Sequence, residues 1–481
     1  MGGGLAASAC TRRASRPPNI LYIMTDDHTA GEMGCYGNRI LKTPNLDRLA
    51  REGVRFENAF CTNSLCAPSR ATALSGCYSH VHGVRGNSEG LGLEEHINPK
   101  LTLWPAVAKR AGYRTAVIGK WHLQDPPPGF DYSCVLPGQG VYYDPEFIEN
   151  GTRRKLKGYA TDITTDLALD FLGKVGQQPF ALIYQHKAPH RPFQPAPGHA
   201  RLFDDIELPY PPTFDDDYAT RKLAKEAEDM RFDISLAGDY KDLPKNLSAK
   251  EKKKWVYQRF VKDRYRAIVG VDENIGRVLN FLDKHNLASN TLIIYTSDNG
   301  FFVGDHGWYD KRFMYEPSLR VPLLARFPQS GAVGRVENRM ALNIDFAPTI
   351  LDFAGLPVPE SMQGVSLRPL IEGREAKDWR TSIYYSYFED SWSLRNRSKE
   401  QMSDPAFAYF TPHRVSPHRG VRTSRYKLIE YFSEGDYWEF FDLQRDPNEL
   451  NNRYSDPSIA ETIAGLKKEL ARLRDQYGDK G

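Results

Sequence analysis

A buried-strand pattern near the amino end reads Asn19-Ile20-Leu21-Tyr22-Ile23-Met24, and the polar triplet Thr25-Asp26-Asp27 follows it directly. Such a continuous apolar run is typical of a strand covered on both faces, as strands of parallel sheets are. Similar runs occur at 115–118, 180–184, 291–296 and 321–325, and helical patterns lie between them at 45–52, 103–111, 161–172 and 261–285. This alternation predicts the α/β class, with a large, mostly parallel sheet flanked by helices.

Polar motifs follow four of these runs at the point where each run stops. They are Thr25-Asp26-Asp27, Gly119-Lys120-Trp121-His122, His186-Lys187-Ala188-Pro189-His190 and Ser297-Asp298-Asn299-Gly300. Ligands of open α/β sheets bind outside the carboxyl ends of the strands, so we expect these motifs to meet in one pocket. Asp26, Asp27, Asp298 and Asn299 offer only oxygen ligands, which suits a hard divalent cation, calcium more readily than magnesium. In an extended segment, Lys120 and His122 would point to the same side.

The most informative motif is Cys66-Ala67-Pro68-Ser69-Arg70-Ala71-Thr72-Ala73-Leu74-Ser75-Gly76. Pro68 suits a first helical turn, so we expect Cys66 at the start of a helix. The free N–H groups of a helix start attract an anion. Arg70 follows one turn later on the same face and adds a fixed positive charge. A nucleophile, a helix end and a guanidinium group together predict a site for an oxyanion.

This motif matches every defining position of the signature Cys-x-Pro-Ser-Arg-x-x-x-Leu-x-Gly. The chain therefore resembles the type I, formylglycine-dependent sulfatases of the alkaline-phosphatase-like superfamily. The resemblance implies a three-layer α/β/α sandwich around a mixed, mostly parallel sheet, with a smaller carboxy-terminal α+β subdomain that contains an antiparallel sheet. It also implies that a formylglycine-generating or maturase enzyme oxidises Cys66 to formylglycine.

The resemblance further implies a role for each polar motif. One Ca²⁺ per chain would be bound by Asp26, Asp27, Asp298, Asn299 and the modified Cys66. Arg70 would orient the nucleophile, Lys120 would contact the sulfate, and His122 would handle the second hydroxyl of the hydrated aldehyde. His190 and Lys311 would hold the leaving oxygen and supply its proton.

Two loops, at 186–192 and 304–322, are similar to those of bacterial exo-sulfatases that remove 6-O-sulfate from N-acetylglucosamine or glucosamine in host glycans. A sulfated carbohydrate is therefore the expected substrate. The candidates for sugar contacts are His80, His82, Arg85, Arg312, His413, His418 and Arg419. Two alternatives stay open: a phosphatase or phosphonate monoester hydrolase of the same superfamily, and a non-catalytic glycan-binding protein with an unmodified Cys66.

Bulk composition excludes several other classes of protein. The net charge of +3 over 481 residues is too small to indicate nucleic acid or an anionic membrane as the main partner. No apolar run reaches the roughly 20 residues of a membrane span. The six cysteines do not make a disulfide scaffold in so long a chain. Pairing among Cys35, Cys61, Cys77 and Cys134 stays open.

Three segments are predicted along the chain. Residues 1–16 resemble a flexible leader or the remnant of an export signal, which predicts a periplasmic or cell-surface protein, and Cys10 is a candidate for lipidation. Residues 17–375 would form the catalytic domain. Residues 376–481 would form a subdomain with an antiparallel sheet and a closing helix at 458–477. The highly charged stretch 215–254 predicts a solvated helical insertion.

Overall fold

The computed structural model describes residues 16–87, 95–389, 413 and 415–481. Its strands are β1 (Asn19–Thr25), β2 (Val54–Phe56), β3 (Ala59–Phe60), β4 (Arg114–Lys120), β5 (Tyr132–Leu136), β6 (Glu146–Glu149), β7 (Thr152–Lys155), β8 (Phe180–Gln185), β9 (Thr291–Ser297), β10 (Leu323–Arg326), β11 (Arg335–Glu337), β12 (Ala341–Leu342), β13 (Ser382–Tyr387), β14 (His418–Thr423), β15 (Tyr426–Tyr431) and β16 (Tyr437–Asp442). Its α-helices are α1 (Pro44–Glu52), α2 (Cys66–Ser75), α3 (Ser79–His82), α4 (Trp104–Arg110), α5 (Ala160–Lys174), α6 (Lys222–Glu226), α7 (Ala249–Lys284), α8 (Glu316–Leu319), α9 (Phe346–Phe353), α10 (Arg368–Ile371) and α11 (Ala460–Tyr477).

The central sheet has ten strands in the order β11-β2-β10-β9-β1-β8-β4-β5-β6-β7. Its middle, from β9 to β5, is parallel, and β1 pairs with both β8 and β9, so that Leu21 lies between Leu182 and Ile293. The flanking strands β10, β6 and β7 run antiparallel to their neighbours. The predicted mixed, mostly parallel sheet is confirmed. Because β9, β1, β8 and β4 are adjacent and parallel, their carboxyl ends meet at one edge.

Helices cover both faces of this sheet because successive strand residues point to opposite sides. On one face, Leu21 and Ile23 of β1 pack in a core formed with α1, α5 and α7. On the other face, Ile20 and Tyr22 pack in a core formed with α2, α4 and α9. Burial on both faces explains why the central strands are continuously apolar.

The strand predicted at 321–325 is confirmed as β10, one of the antiparallel strands of the mixed sheet. Two local predictions differ from the structure. The helix predicted at 261–285 begins earlier, at Ala249, where Ser248 and Glu251 form a capping box that starts α7. The stretch 215–254 is not a solvated helical insertion, because Phe232 and Leu236 are buried against α7 and regular helix before Ala249 is limited to α6 and short 3₁₀ turns. Apolar residues spaced among its many charges anchor this stretch to the core.

The carboxy-terminal strands form a separate sheet in the order β13-β14-β15-β16, antiparallel throughout, with α11 against it. Ile383 and Phe441 of this sheet share a core with Phe313 and Leu319 of the first part of the chain. The antiparallel sheet and the closing helix agree with the pattern of the sequence. The boundary at residues 375 and 376 remains a prediction.

Several expectations concern the rest of the chain. Among the described residues, no helix is both long and apolar enough to cross a membrane. Within the same residues, Cys35, Cys61, Cys77 and Cys134 are free thiols, so no disulfide forms among them. Cys10 and nearly all of the leader lie outside the described residues, and export and lipidation therefore remain predictions.

Candidate active site

Three carboxylates meet at the carboxyl edge of the sheet. Asp26 and Asp27 directly follow β1, and Asp298 directly follows the neighbouring β9. A ligand oxygen from each of the three lies within 4.8 Å of the others, and all three side chains are buried. The backbone N–H of Asp27 donates to Asp298 Oδ1 at 3.1 Å, which ties the two strand ends together. The expected convergence of these motifs is confirmed by this geometry.

The charges around the cluster are unevenly balanced. Burial raises the pKa of Asp26, but Lys120, His190 and Arg70 outweigh it and hold that pKa well below its usual value. Burial and the neighbouring Asp26 raise the pKa of Asp298 to about 7, in spite of its contact with Arg70. Like-charged carboxylates therefore repel one another here, and a divalent cation would relieve that repulsion.

Asn299 supplies a further observation that favours a cation. Its Nδ2 donates to Asp27 Oδ1 at 2.7 Å and to the Gly300 carbonyl at 2.8 Å. Its Oδ1 is buried and has no hydrogen-bond partner among the described residues. A buried polar atom normally has a partner, and an amide oxygen beside three carboxylates is a suitable ligand for a hard cation. The donor set therefore fits Ca²⁺.

Cys66 is the first residue of α2 and is fully buried. Its Sγ lies 3.5 Å from Asp26 Oδ1 and 3.2 Å from Lys311 Nζ. Lys311 Nζ also contacts Asp27 Oδ1, so one ammonium group joins the cysteine to the carboxylate cluster. Arg70, one turn along α2, donates from Nε and Nη2 to Asp298 Oδ2 at 3.1 and 2.8 Å. The predicted helix start is observed, with Arg70 one turn further along the same helix.

Lys120 and His122 are joined by a residue that the sequence reasoning missed. Lys120 Nζ, which also contacts Asp26, donates to Gln139 Oε1 at 2.7 Å. The amide nitrogen of Gln139 lies 2.9 Å from His122 Nε2. Gln139 follows β5, so the rule that polar residues at strand ends form the site, applied to 132–136, would have found it.

The conformation expected at Lys120 and His122 is wrong. The segment is not extended, because His122 has a φ of 55°, in the left-handed region. The two side chains meet on Gln139 through this sharp turn and not through the alternation of a strand.

His190 and Lys187 come from the loop after β8. The Nδ1 atom of His190 donates to the Arg191 carbonyl at 2.7 Å, which leaves Nε2 facing Asp27 Oδ2 at 3.7 Å. Burial and Lys120 lower the pKa of His190 well below its usual value. Lys187 Nζ donates to the carbonyls of Gln139 and Arg191, at 3.0 and 3.1 Å, and burial and Lys120 lower its pKa to about 7.

Two of the sugar-contact candidates lie next to Lys311. Arg312 Nε is 3.3 Å from Asp310 Oδ1, and Arg312 also pairs with Glu389. His413 Nε2 is 3.1 Å from Asp310 Oδ2. Asp310 thus connects both candidates, although the sequence reasoning did not single it out. The sequence could have indicated Asp310 as a site residue, because it directly precedes Lys311.

The other sugar-contact candidates lie elsewhere or are bonded inside the protein. His80 Nε2 contacts the Tyr477 carbonyl at 2.9 Å, and Arg419 pairs with Glu430 at 2.6 Å on β14. His82 contacts Thr72 through Nε2 and accepts from the Val84 N–H through Nδ1. His418 accepts from the Met314 N–H through Nε2 and contacts the Ser416 carbonyl through Nδ1. Arg85 is exposed, and its guanidinium lies over the Phe388 ring. Both ring nitrogens of each of the two buried histidines are therefore occupied within the protein.

Comparison with known proteins agrees with this geometry. The family model described as Sulfatase matches residues 18–356, and the model described as N-sulphoglucosamine sulphohydrolase, C-terminal, matches residues 393–476. An N-acetylglucosamine-6-O-sulfatase of Bacteroides thetaiotaomicron is 38% identical to this chain over an alignment 526 residues long. The alignment covers 99% of this chain and 90% of that relative.

Two solved structures extend the comparison. A structure described as a complex with its substrate, D-glucosamine-2-N,6-O-disulfate, is 38% identical with a TM-score of 0.87, and the match covers 97% of this chain and 99% of that one. A phosphonate monoester hydrolase of Agrobacterium radiobacter is 23% identical with a TM-score of 0.74, covers 96% of each chain, and shows a shared fold alone. The chain therefore belongs to the sulfatase family, within the alkaline-phosphatase-like superfamily, and it is a sulfuric ester hydrolase.

Proposed function

We propose that this sulfatase acts on sulfated glycans from the chain end and removes 6-O-sulfate from N-acetylglucosamine or glucosamine. The observation that most strongly supports hydrolysis of a sulfate ester at this site is the setting of Cys66, which lies between the Asp26 carboxylate and the Lys311 ammonium. Arg70, Lys120 and Lys311 bring three positive charges to one small buried volume. Such a volume suits an anion that carries its charge on several oxygens.

The nucleophile in this proposal is formylglycine made from Cys66. Burial raises the pKa of the Cys66 thiol, so the unmodified residue is a neutral thiol and a weak nucleophile. The hydrated aldehyde supplies a hydroxyl group that attacks the sulfur atom. Because Cys66 is fully buried in the fold, the maturing enzyme would act before the chain folds.

Calcium in this proposal is held by Asp26, Asp27, Asp298, Asn299 and the modified Cys66. When bound, it polarises the nucleophile and offsets the charge of the sulfate. Arg70 orients residue 66 while its own guanidinium is fixed by Asp298. Lys120 contacts the sulfate. Gln139 bonds to both Lys120 and His122 and so fixes the distance between these two side chains.

Proton transfers are assigned to the two histidines. His190, together with Lys311, donates a proton to the oxygen that leaves the sulfur. The negative charge of the bound sulfate stabilises the protonated imidazole against the burial and the Lys120 charge that otherwise lower its pKa. His190 donates through Nε2, because Nδ1 is engaged by the Arg191 carbonyl. His122 accepts the proton from the second hydroxyl of residue 66 and so allows sulfate release.

The exposure of the site supports action at a chain end. Cys66, Lys120 and Lys311 are buried, whereas His190 and Gln139 are half-buried and form the open side. We infer that a nucleophile buried behind one open side is reached by a sulfate group and the sugar that bears it more readily than by the middle of a polymer. Asp310, Arg312 and His413, beside Lys311, are proposed to bind that sugar.

The test is sulfate release from a panel of purified sulfated monosaccharides and disaccharides. We expect turnover of 6-O-sulfated N-acetylglucosamine and glucosamine, and little turnover of 2-O- or 4-O-sulfated sugars. Hydrolysis of 4-nitrophenyl phosphate or of a phosphonate monoester at a higher kcat/KM than that for the sulfated sugars would favour the phosphohydrolase alternative. Mass spectrometry of the peptide around residue 66 tests whether the chain is a non-catalytic glycan-binding protein. Formylglycine has lost sulfur and gained oxygen, whereas such a binding protein would retain cysteine.

A further inference from the structure

We propose that Arg264 and Glu32 are positioning residues that hold the backbone of Asp27 so that its carboxylate points into the calcium site. This inference rests on the proposed function, since calcium binding at Asp27 is part of it. Arg264 lies near the middle of α7, and Glu32 lies in the 3₁₀ turn that follows the Asp26-Asp27 motif. Neither residue belongs to a sulfatase motif in the sequence.

The two residues form a buried pair that also reaches the site. Arg264 Nε donates to Glu32 Oε1 at 2.9 Å, and Nη2 donates to Glu32 Oε2. The same Nη2 donates to the main-chain carbonyl of Asp27 at 2.7 Å. The side chain of Arg264 is 0% exposed and that of Glu32 is 3% exposed. Two parallel hydrogen bonds fix the plane of the guanidinium group, so the second N–H of Nη2 has a defined direction.

The backbone of Asp27 needs such support. Its φ is 66°, in the left-handed region that residues with a Cβ rarely adopt. A residue persists in that region when the surrounding structure over-determines it. Here the N–H of Asp27 donates to Asp298 and its C=O accepts from Arg264, so side chains fix both polar groups of its backbone. The carboxylate of Asp27 is thereby directed toward Asp298 and Asn299.

The position of Arg264 is itself fixed from the opposite side. Its guanidinium lies over the ring of Phe301, with Cζ 4.5 Å from the ring centroid, and Phe301 is two residues after Asn299. The rings of Phe193 and Phe260 lie at 5.8 and 5.6 Å. A buried ion pair loses much of its attraction to desolvation, so stability alone is a weak reason for this one. Its contact with the Asp27 carbonyl supplies a reason, because groups that orient metal ligands tune metal affinity.

The experiment compares Ca²⁺ affinity in the full-length protein, stripped of metal by a chelator, by isothermal titration calorimetry. We expect the Kd for Ca²⁺ to rise about 10- to 100-fold in Arg264→Met, because loss of a group that orients a ligand has this size of effect. Arg264→Lys keeps the positive charge but loses the forked geometry of the guanidinium, and it should show a smaller rise in Kd. Arg221→Met is the matched control, because Arg221 is equally buried and is paired with the Asp216 carboxylate at 2.5 and 2.6 Å.

In the metal-free protein, Arg221→Met should lose about as much thermal stability as Arg264→Met. Its Kd for Ca²⁺ should stay within about twofold of that of the unsubstituted protein. An equal rise in Kd for the control, or an unchanged Kd in folded Arg264→Met and Arg264→Lys, would overturn the inference. Should Arg264→Met fail to fold, Glu32→Gln gives the same comparison with a shape-conserving change. A protein that binds no Ca²⁺ at all would overturn the metal assignment of the proposed function, whereas normal binding by every variant overturns the positioning role alone.

Discussion

Lys311 and Cys66 are in contact although 245 positions separate them in the chain, with Nζ 3.2 Å from Sγ. Burial lowers the pKa of Lys311, but the Asp27 carboxylate, which pairs with the same ammonium, and the nearby Asp310 outweigh burial and hold that pKa well above its usual value. Lys311 is therefore a fixed cation at the point where the reacting residue meets the carboxylates.

Cys66→Ala should abolish sulfate release from every substrate, because no formylglycine can form at that position. Its fold should persist, since alanine at the start of α2 removes only the sulfur atom. The measurement is sulfate release together with circular dichroism and thermal unfolding. Cys77→Ala is the control, a buried free thiol just after the same helix that should keep its activity. Near-normal rates in Cys66→Ala would end the proposed mechanism.

His190→Asn should slow release of sulfate from a sugar by about 10²–10⁴-fold, the usual loss when a general acid is removed. The same variant should lose much less activity on 4-nitrophenyl sulfate, because nitrophenolate leaves without a proton. His199→Asn serves as the control, since His199 is half-buried and pairs with Glu273 at 3.0 Å. Equal losses on both esters would remove His190 from the role of proton donor.

Arg312→Ala should raise the KM for 6-O-sulfated N-acetylglucosamine about 10- to 100-fold, which corresponds to the loss of a charge-assisted hydrogen bond to the sugar. The kcat/KM for a small aryl sulfate should change little, because that ester has no sugar hydroxyls to bind. Arg419→Ala is a matched control, since Arg419 of β14 pairs with Glu430 of the neighbouring strand β15. Parallel losses on the sugar and on the aryl ester would indicate a structural role for Arg312.

We expect the free energy of unfolding to depend on pH through the carboxyl group of Asp216. Burial raises the pKa of Asp216, but hydrogen bonds from His306 and Arg221 outweigh it and lower the pKa to about 2. A carboxyl whose folded pKa lies below its unfolded value stabilises the fold fully above about pH 4, and this stabilisation disappears as the pH falls toward 2. Asp216→Asn should therefore lower the free energy of unfolding by about 3–5 kcal/mol at pH 7, since it breaks a buried pair.

The measurement is urea unfolding of Asp216→Asn and the unsubstituted protein from pH 7 down to pH 3. The difference between the two should shrink as the pH falls. Asp242→Asn, which breaks the exposed Arg259–Asp242 pair, should cost less than about 1 kcal/mol over the same range. A difference that stays constant with pH would show that the Asp216 carboxylate does not gain its partners in the folded state.

The sequence by itself determined the class of fold and the chemical core of the site. Continuous apolar runs such as Asn19–Thr25 encode buried strands within a few residues, and the polar residues directly after them mark the carboxyl edge of a parallel sheet. The Cys66 motif is equally local, because its spacing sets a helix start with Arg70 one turn away. Local patterns of this kind survive folding because they depend on neighbouring residues alone.

Tertiary structure decided what depends on distant parts of the chain. Gln139 joins Lys120 to His122, and Arg264 reaches the Asp27 carbonyl from α7, and both contacts join residues that belong to or follow separate strands or helices. The same holds for the sugar-contact candidates, of which Arg312 and His413 meet on Asp310 while His82 is bonded inside the protein. Through-space contacts depend on how strands and helices pack, and a single sequence does not encode that packing in any short stretch.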